Sequence, residues 1–500
     1  MGAKRPPTWV AVASLLLLGL AGAPSDVQTL ARRLLQEPDK LPQALPPGTP
    51  ADRRDDLLAA LEPSLDFAAS ERVESAWGAV PRRSADRRAA SSGTLRFAAD
   101  SEGEIEASVY SLPSSFFRLE EVKTFLAGVR AAAPERTLVV LTDLPLRRGL
   151  DETARRLRID LLETYGRPYS PWPRDPFSLV RTPQGAVRVL VRPNLQRGRE
   201  EDAHLGAELI QNLPEGIDRK WGRVTWSEAP MPFHNGQILL TPDAAWVSIH
   251  TLEPHILARL KLDRVPVETF GTAEGIGRYV TAARQAAGDL STLYGRPVRF
   301  VHPLPGQPAL MRTIGGGAGY DLDSLLTLLP GGKGKPASAL VGDLTLGRSL
   351  LDRATADDWK ALRATYGLEP DGPALAAALA AAQTDAAALD AFLDLTAAHL
   401  VDDGLRVRRL PLLTVPVELL RDRAAYSHPN FLLTWNNVVV ETRGGKARAE
   451  GFASGLPAGD RLAGEVFGEA GVSLELLPPL VKSIVLNGGY RCASNHVRAP

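Results

Sequence analysis

The chain has 500 residues, of which 44% are hydrophobic, and 58 basic residues balance 58 acidic ones. This hydrophobic fraction is sufficient for a complete core. The chain is longer than one ordinary domain, although a closed repetitive fold could place most of it in a single unit. The neutral balance gives no reason to expect nucleic acid or an anionic surface as a partner.

The N-terminus has the layout of a secretory signal peptide. Lys4 and Arg5 precede an apolar run, residues 9–23, that ends in small residues and is short for a membrane-spanning helix. We therefore predict a signal peptide over residues 1–23 and a secreted or periplasmic protein without membrane contact. Because Pro24 is a poor residue after a cleavage point, an uncleaved N-terminal membrane anchor is the alternative.

Two regions with different sequence character follow. Residues 24–93 are rich in Arg, Asp, Pro and Ala and show helical periodicity only in patches, which predicts a helical or partly disordered lead-in. From residue 94 onward, β-type runs alternate with amphipathic helical stretches, the pattern of an α/β fold. The predicted helices are 118–133 and 150–165, and the predicted strands are 108–113, 137–143, 186–193, 236–242, 245–250, 299–305, 324–330, 430–441 and 482–489.

Two long helical patches interrupt this alternation. One covers residues 272–293, and the other is an alanine-rich stretch over residues 373–401. Alanine at this density favours helix for intrinsic reasons. We expect it to form a helical insertion near residues 350–401.

Cys492 is the only cysteine of the chain, and it follows Gly488 and Gly489 in a polar stretch near the C-terminus. A cysteine that serves only to pack normally lies within an apolar run. A single cysteine forms no internal disulfide, so an exported fold must rely on its core. The setting of Cys492 indicates a reactive thiol.

Three further stretches place polar side chains in loop-like settings. In YSPWPRDPF, Asp175 lies among prolines and a tryptophan, and pairing with Arg174 in a turn is the simpler interpretation. In MPFHNGQILLTPD, His234 precedes an apolar strand. A structural role in capping the start of that strand explains this histidine as well as a role in a functional site does. In GGGAGYDLDSLL, Asp321 and Asp323 stand two apart, so an extended chain would present both carboxylates on one side, although acidic decoration of a turn is equally compatible.

In this order the motifs resemble the guanidine-modifying superfamily, and most closely the catalytic domain of protein-arginine deiminases. GGYRCASNHVR resembles the motif of the nucleophilic cysteine, PWPRDPF the substrate-aspartate motif, and GYDLDSLLTLLPGGKGKP the His-x-Asp motif. RPNLQRG resembles the loop whose arginine contacts the substrate backbone, matching at Arg197, and SHPNFLLTWNNVVVE resembles a strand of agmatine deiminases. The resemblance spans residues 94–500.

The resemblance implies a catalytic domain over residues 94–500 with the pentein fold, a five-bladed pseudo-symmetric α/β propeller. It implies Cys492 as the nucleophile, Asp175 and Asp323 as carboxylates that hold the guanidinium, and Asn495 and Arg197 as further substrate contacts. A planar cationic guanidinium calls for carboxylates that accept paired hydrogen bonds, and its resonance-stabilised carbon calls for a strong nucleophile such as a thiolate.

The sequence departs from the family at the proton carrier. Asp321 stands where the family has its general acid/base histidine, and Arg491 precedes the cysteine where a histidine is often found. Three carboxylates near one cation oppose mutual ionisation, which would let Asp321 hold a proton. His234 and His496 are the alternative proton carriers.

The sequence requires no cofactor. Animal protein-arginine deiminases depend on calcium, but the matching ligand positions here are Pro176, Phe177, Val191 and Arg192, whose side chains are not hard oxygen ligands. The sequence also has neither a Cys/His cluster for zinc nor acidic residues at EF-hand spacing. Calcium activation of the family type is therefore not expected.

The leading prediction is an exported hydrolase that converts peptidyl-arginine, or a related guanidino substrate, to the citrulline-type product and ammonia through a thiouronium intermediate on Cys492. Arg197 favours a peptide. The alternatives are a small-molecule agmatine-type deiminase or amidinotransferase, and a non-catalytic guanidino-binding protein that has lost turnover with its histidine.

Overall fold

In the computed structural model of the protein, the described residues are 95–101, 103–164, 169–192, 199–231, 233, 235–262, 273–301, 321–331, 337–426 and 428–499. The predicted signal peptide and the lead-in over residues 24–93 lie outside them. Within these ranges, no helix is both long enough and apolar enough to cross a bilayer.

Strands and helices alternate along the described chain. The strands are β1 Ile105–Ser111, β2 Thr137–Thr142, β3 Ile159–Glu163, β4 Phe177–Arg181, β5 Val187–Val191, β6 Thr225–Glu228, β7 Ile238–Leu240, β8 Ala245–Val247, β9 Val298–Phe300, β10 Leu326–Leu329, β11 Ser338–Asp343, β12 Arg406–Pro416, β13 Asn430–Thr434, β14 Val439–Arg443, β15 Lys446–Phe452, β16 Val472–Leu477 and β17 Ser494–Arg498. The helices are α1 Leu119–Ala132, α2 Leu144–Leu157, α3 Leu205–Asn212, α4 Glu215–Lys220, α5 Ile249–Leu260, α6 Ala273–Tyr294, α7 Leu322–Leu325, α8 Leu344–Arg353, α9 Ala356–Tyr366, α10 Gly372–Asp385, α11 Ala387–Asp402, α12 Pro457–Glu469 and α13 Val481–Val485. The predicted α/β class is confirmed.

The described strands form five sheets with one recurring arrangement. Their orders are β17-β1-β2-β3, β4-β5-β6, β7-β8-β9, β10-β11-β12-β13 and β14-β15-β16. In each sheet an antiparallel pair is followed by a parallel neighbour, and a helical crossover joins the two parallel strands. The described part of the chain does not show these sheets closed into a propeller.

Two sheet connections bear on the candidate site. The last strand, β17, pairs antiparallel with the first, β1, so the segment after Cys492 is held against the beginning of the fold. The parallel strands β11 and β12 are joined through α8, α9, α10 and α11, which occupy the region where the sequence predicts an alanine-rich helical insertion.

Local sequence explains most of these elements. The continuous apolar run of β2 suits a strand buried on both faces between two parallel neighbours. Thr355 and Asp358 form a capping box at the start of α9, and Gly367 ends that helix with a φ of 66°.

Three predicted elements were wrong in part. The helix predicted over 150–165 ends at Leu157, because Arg158 adopts a left-handed conformation and the chain continues as β3. The strand predicted over 430–441 is two strands in different sheets, β13 and β14. The strand predicted over 482–489 is replaced by the short helix α13, since a run of three apolar residues does not distinguish a strand from a buried helical turn.

The largest hydrophobic cluster lies beneath the segment that carries the cysteine. It includes the aromatic rings of Tyr110, Phe125, Phe452 and Tyr490. The ring of Tyr490 packs edge-to-face on Phe452 at a centroid distance of 5.5 Å, and its hydroxyl lies 2.8 Å from that of Tyr110. This packing fixes the chain two residues before Cys492.

Candidate active site

Cys492 lies in a turn between α13 and β17, and it is 3% exposed. The hydroxyl of Ser494 donates to the carbonyl of Tyr490 at 2.7 Å, and the amide of Ala493 donates to the carbonyl of Gly489 at 3.0 Å. Glycine is required just before this turn, because a Cβ on Gly488 would lie 1.9 Å from Nε1 of Trp172. The turn therefore holds the thiol in one place.

Two carboxylates meet the thiol. Its Sγ lies 3.9 and 3.7 Å from the two carboxylate oxygens of Asp323, and one oxygen of Asp321 completes a group whose atoms all lie within 4.8 Å of one another. Asp321 and Asp323 lie close together, and of the two interpretations of the sequence, an extended chain and a turn, the structure shows a turn. Asp321 precedes α7 and Asp323 lies in its single turn, which brings both carboxylates to the thiol.

Asn437 links the thiol to a carboxylate and was missed by the sequence analysis. Its Nδ2 donates to Asp323 Oδ1 at 3.0 Å and to Cys492 Sγ at 3.3 Å. Its Oδ1 accepts from the backbone amides of Arg491 at 2.8 Å and Cys492 at 3.3 Å. The available signal was a pair of asparagines within an apolar run, since buried amides are retained where they have partners.

The guanidinium of Arg491 forms an ion pair with the carboxylate of Asp323. Its Nη1 donates to Asp323 Oδ2 at 2.5 Å and to the carbonyl of Asn235 at 3.0 Å, and its Nη2 donates to Asp100 Oδ2 at 3.1 Å. Arg491 is 3% exposed. Arg174 pairs with the other oxygen of Asp100, and not with Asp175 as the simpler interpretation of the sequence held.

Asp175 is bound to Arg199, a second guanidinium that the sequence analysis missed. Arg199 Nη1 donates to Asp175 Oδ2 at 2.6 Å, and Nη2 donates to Asp202 Oδ2 at 2.7 Å. The guanidinium also lies over the indole of Trp172, with Cζ 4.9 Å from the ring centroid. The surroundings of Arg199 therefore show how carboxylates and an aromatic face accommodate a guanidinium in this region.

Asp321 is packed closely against the 3₁₀ turn of residues 235–237. Nε2 of Gln237 donates to Asp321 Oδ1 at 3.0 Å, while Ser248 donates to the other end of the same amide at 2.6 Å. A Cβ on Gly236 would lie 2.3 Å from the carboxylate of Asp321. Only glycine at position 236 allows this approach.

Burial and mutual repulsion shift the pKa values of the acidic groups. Burial, followed by the charge of Asp175, raises the pKa of Asp321 to about 7. Burial also raises the pKa of Asp323, to about 6, against the opposing effect of Arg491. Burial and then the charges of Asp323, Asp321 and Asp175 raise the pKa of the Cys492 thiol, which the hydrogen bond from Asn437 partly offsets. Without a bound cation, the thiol is protonated at neutral pH.

Of the remaining predicted site residues, those that the structure describes are not seen in contact with the Cys492 thiol. His234 and Arg197 lie outside the described residues. Asn495 donates to the carbonyls of Pro173 at 3.3 Å and Phe177 at 2.8 Å, so its amide supports the turn that carries Asp175.

His496 lies among buried hydroxyl groups. Its Nδ1 is 3.0 Å from Ser108 Oγ and its Nε2 is 2.8 Å from Ser494 Oγ. Burial, and then nearby arginines including Arg136, hold the pKa of His496 well below its ordinary value. None of its hydrogen bonds reaches the thiol or the carboxylates that surround it, so the geometry does not favour His496 as the proton carrier.

Asp321, Asp323 and Cys492 are also the described residues whose donor atoms could meet at one metal ion. Calcium takes six to eight oxygen ligands, whereas this group offers two carboxylates and a sulfur. Asp323 is moreover neutralised by Arg491. The donor set does not fit calcium.

The solved structures that are similar to this chain include the following three. A protein described as a candidate agmatine deiminase is 10% identical, with 81% of this chain and 96% of that chain covered and a TM-score of 0.48. The agmatine deiminase of Enterococcus faecalis is 13% identical, with 81% and 96% covered and a TM-score of 0.47. A dimethylarginine dimethylaminohydrolase in its adduct with S-methyl-L-thiocitrulline is 12% identical, with 79% and 100% covered and a TM-score of 0.30.

Two of these structures are described as agmatine deiminases and one as a dimethylarginine dimethylaminohydrolase, while the sequence motifs predicted a resemblance to the guanidine-modifying superfamily. No family model matches the chain, and no curated protein sequence matches it. At this level of identity the likeness concerns the course of the chain and not its chemistry.

Proposed function

We propose that this protein is a cysteine-dependent hydrolase of guanidino compounds that releases ammonia and a ureido product. The observation that carries the proposal is the meeting of the Cys492 thiol with the carboxylates of Asp321 and Asp323, within 4.8 Å of one another in a buried site. A thiol supplies the nucleophile, and carboxylates supply both attraction for the cation and a proton carrier.

The charges of the site fit a cationic substrate. Burial, and then the negative charges of Asp323, Asp321 and Asp175, raise the pKa of the Cys492 thiol. A guanidinium bound beside them would offset that effect and favour the thiolate. The nucleophile would then form chiefly when substrate is present.

The first half of the proposed reaction forms a covalent adduct. The thiol proton passes to Asp321, and the thiolate attacks the guanidinium carbon to form a C–S bond. Protonated Asp321 then gives its proton to the leaving nitrogen, the C–N bond breaks and ammonia departs, leaving a thiouronium on Cys492. A pKa of about 7 suits Asp321 to both transfers at neutral pH.

The second half consumes water. Water adds to the same carbon and gives a proton to Asp321. The C–S bond then breaks as the hydroxyl proton of the adduct passes to the sulfur, and the thiol and the ureido product separate. Asp321 gives its proton to solvent, where the released ammonia takes it up. The sum is guanidinium plus water giving urea derivative plus ammonium.

Three finer features belong to the same proposal. Peptidyl-arginine is the proposed substrate, supported by the resemblance of Arg197 to a backbone-contacting arginine. Export is supported by the signal-like segment over residues 1–23. A five-bladed propeller is supported by the recurring strand arrangement and by the pairing of β17 with β1.

One observation favours a second function, capture of a guanidino group without turnover. Asp323 and Asp175 each accept a hydrogen bond from an arginine of the protein, Arg491 or Arg199. A carboxylate engaged in this way has fewer oxygen lone pairs for a substrate. With a raised thiol pKa, such a site would bind weakly and react slowly.

The test is release of ammonia and ureido product from an arginine peptide, free arginine and agmatine, with and without calcium. We expect release that disappears in Cys492→Ala and falls at least about 100-fold in Asp321→Asn, the usual loss on removing a general acid/base. His496→Gln is the matched comparison, in which the folded protein should retain turnover.

Full turnover in Cys492→Ala would contradict the mechanism. Unchanged turnover in Asp321→Asn would transfer the proton-carrier role to His234. Calorimetric binding of an arginine peptide without ammonia release would establish the capture function instead.

A further inference from the structure

A cavity lies beside Asn437, the residue whose amide contacts the thiol. It is a small cavity of about 20 Å³, enough for one water molecule, and it is partly open to solvent between the end of β13, the end of β15 and the turn that carries Cys492. Its lining includes Ser324, Thr434, Asn437, Ser454 and Gly489.

Asn437 lies at the boundary between this cavity and the thiol. Its Nδ2 is 3.3 Å from Cys492 Sγ and 3.4 Å from Ser324 Oγ, which also lines the cavity. The residues that face a guanidinium in the proposed function, Asp175 and Asp321, are not among the lining residues. Cys492 is not a lining residue either, so Asn437 is the residue that connects the cavity to the thiol.

The lining divides into two kinds of surface. Ser324, Thr434, Ser454 and Asn487 carry hydroxyl and amide groups, while the rest includes the aliphatic and aromatic side chains of Leu432, Leu433, Phe452 and Ile484. Hydroxyl and amide groups hydrogen-bond to water, whereas an apolar wall makes entry of an ion expensive. The mixture suits small neutral molecules and disfavours a guanidinium.

The proposed reaction needs such a route. While the thiouronium is attached to Cys492, the substrate still occupies the space beside Asp175 and Asp321, yet one ammonia must leave and one water must arrive. We propose that the cavity beside Asn437 is a binding site for small neutral hydrogen-bonding molecules, through which ammonia leaves and the hydrolytic water enters. This inference rests on the proposed function.

The cavity enters the reaction at two points. Ammonia departs after the C–N bond breaks, having received its proton from Asp321. The water that replaces it adds to the thiouronium carbon and returns a proton to Asp321, after which the C–S bond breaks. Filling the cavity should therefore slow hydrolysis of the adduct and leave its formation nearly unchanged.

The experiment fills the cavity with side-chain volume. Ala453, a lining residue just after β15, is replaced in Ala453→Leu, and Thr434→Leu is a second filling variant in case the first does not fold. The matched control is Ala447→Leu, the same change on β15 outside the lining. Full-length protein is mixed with agmatine or an arginine peptide, and the reaction is quenched in acid at short times. Mass spectrometry of the intact protein then measures the fraction that carries the Cys492 adduct.

We expect hydrolysis of the Cys492 adduct to slow at least tenfold in a filling variant, so that the adduct accumulates, while its rate of formation and the behaviour of Ala447→Leu stay at the wild-type level. Equal adduct lifetimes in wild-type, control and filling variants would refute the cavity's role and leave the hydrolase intact. If neither an adduct nor ammonia forms in the wild-type protein or in the filling variants with any substrate, the proposed function itself fails and the cavity's role fails with it.

Discussion

Replacing Asp321 with asparagine tests the electrostatics of the candidate site without reference to any substrate. Burial and then the charge of Asp175 raise the pKa of Asp321 from 3.8 to about 7. Because the native carboxyl binds its proton more tightly than the unfolded one, it contributes stability that is present at low pH and lost as the pH rises towards 7.

The size of the effect follows from the two pKa values. Between pH 5 and pH 7 the native carboxyl keeps a proton that the unfolded carboxyl has released. Each pH unit then costs about 1.4 kcal/mol, so the free energy of unfolding falls by about 3 kcal/mol over this range. Partial exposure of Asp321 makes this figure an upper bound.

The assay is urea unfolding at pH 5, 6, 7 and 8. Asparagine does not ionise, so Asp321→Asn should lose less stability between pH 5 and pH 8 than the wild type, by up to about 3 kcal/mol. Asp151→Asn, at an exposed position of α2, is the matched control and should keep the wild-type slope. Equal slopes in Asp321→Asn and wild type would refute a raised pKa at Asp321.

Two further predictions concern the support of the site. Gly488→Ala should destabilise the fold by about 1–3 kcal/mol, because the new Cβ would lie 1.9 Å from an indole nitrogen, whereas Gly464→Ala in α12 meets nothing within 4 Å and should be neutral or stabilising. Arg136→Met should cost about 2–3 kcal/mol, because it removes the two charge-assisted hydrogen bonds, at 2.6 and 2.8 Å, that buried Glu450 accepts from Arg136, and leaves Arg448 as the remaining cation on Glu450. Arg421→Met breaks an exposed ion pair and should cost under about 1 kcal/mol. Urea unfolding gives the free energy of unfolding of all four variants. If Gly488→Ala and Gly464→Ala, or Arg136→Met and Arg421→Met, lost equal amounts of stability, the assigned contacts would be contradicted.

The sequence determined the α/β class and singled out Cys492 as the candidate nucleophile. Apolar runs such as that of β2 reveal buried strands because their side chains must leave water on both faces. Cys492 could be singled out because one thiol in a polar, glycine-flanked stretch is unusual for a packing residue. Both conclusions use only the chemistry of neighbouring residues.

The contacts around Cys492 were decided by tertiary structure. Asp323 and Asn437 lie 169 and 55 positions away from it in the chain, so no local pattern reports their distance from the thiol. The pairing of Asp323 with Arg491 likewise depends on how β17 docks against β1. The raised pKa of Asp321 arises from burial and a neighbouring charge, and both exist only after distant segments have packed together.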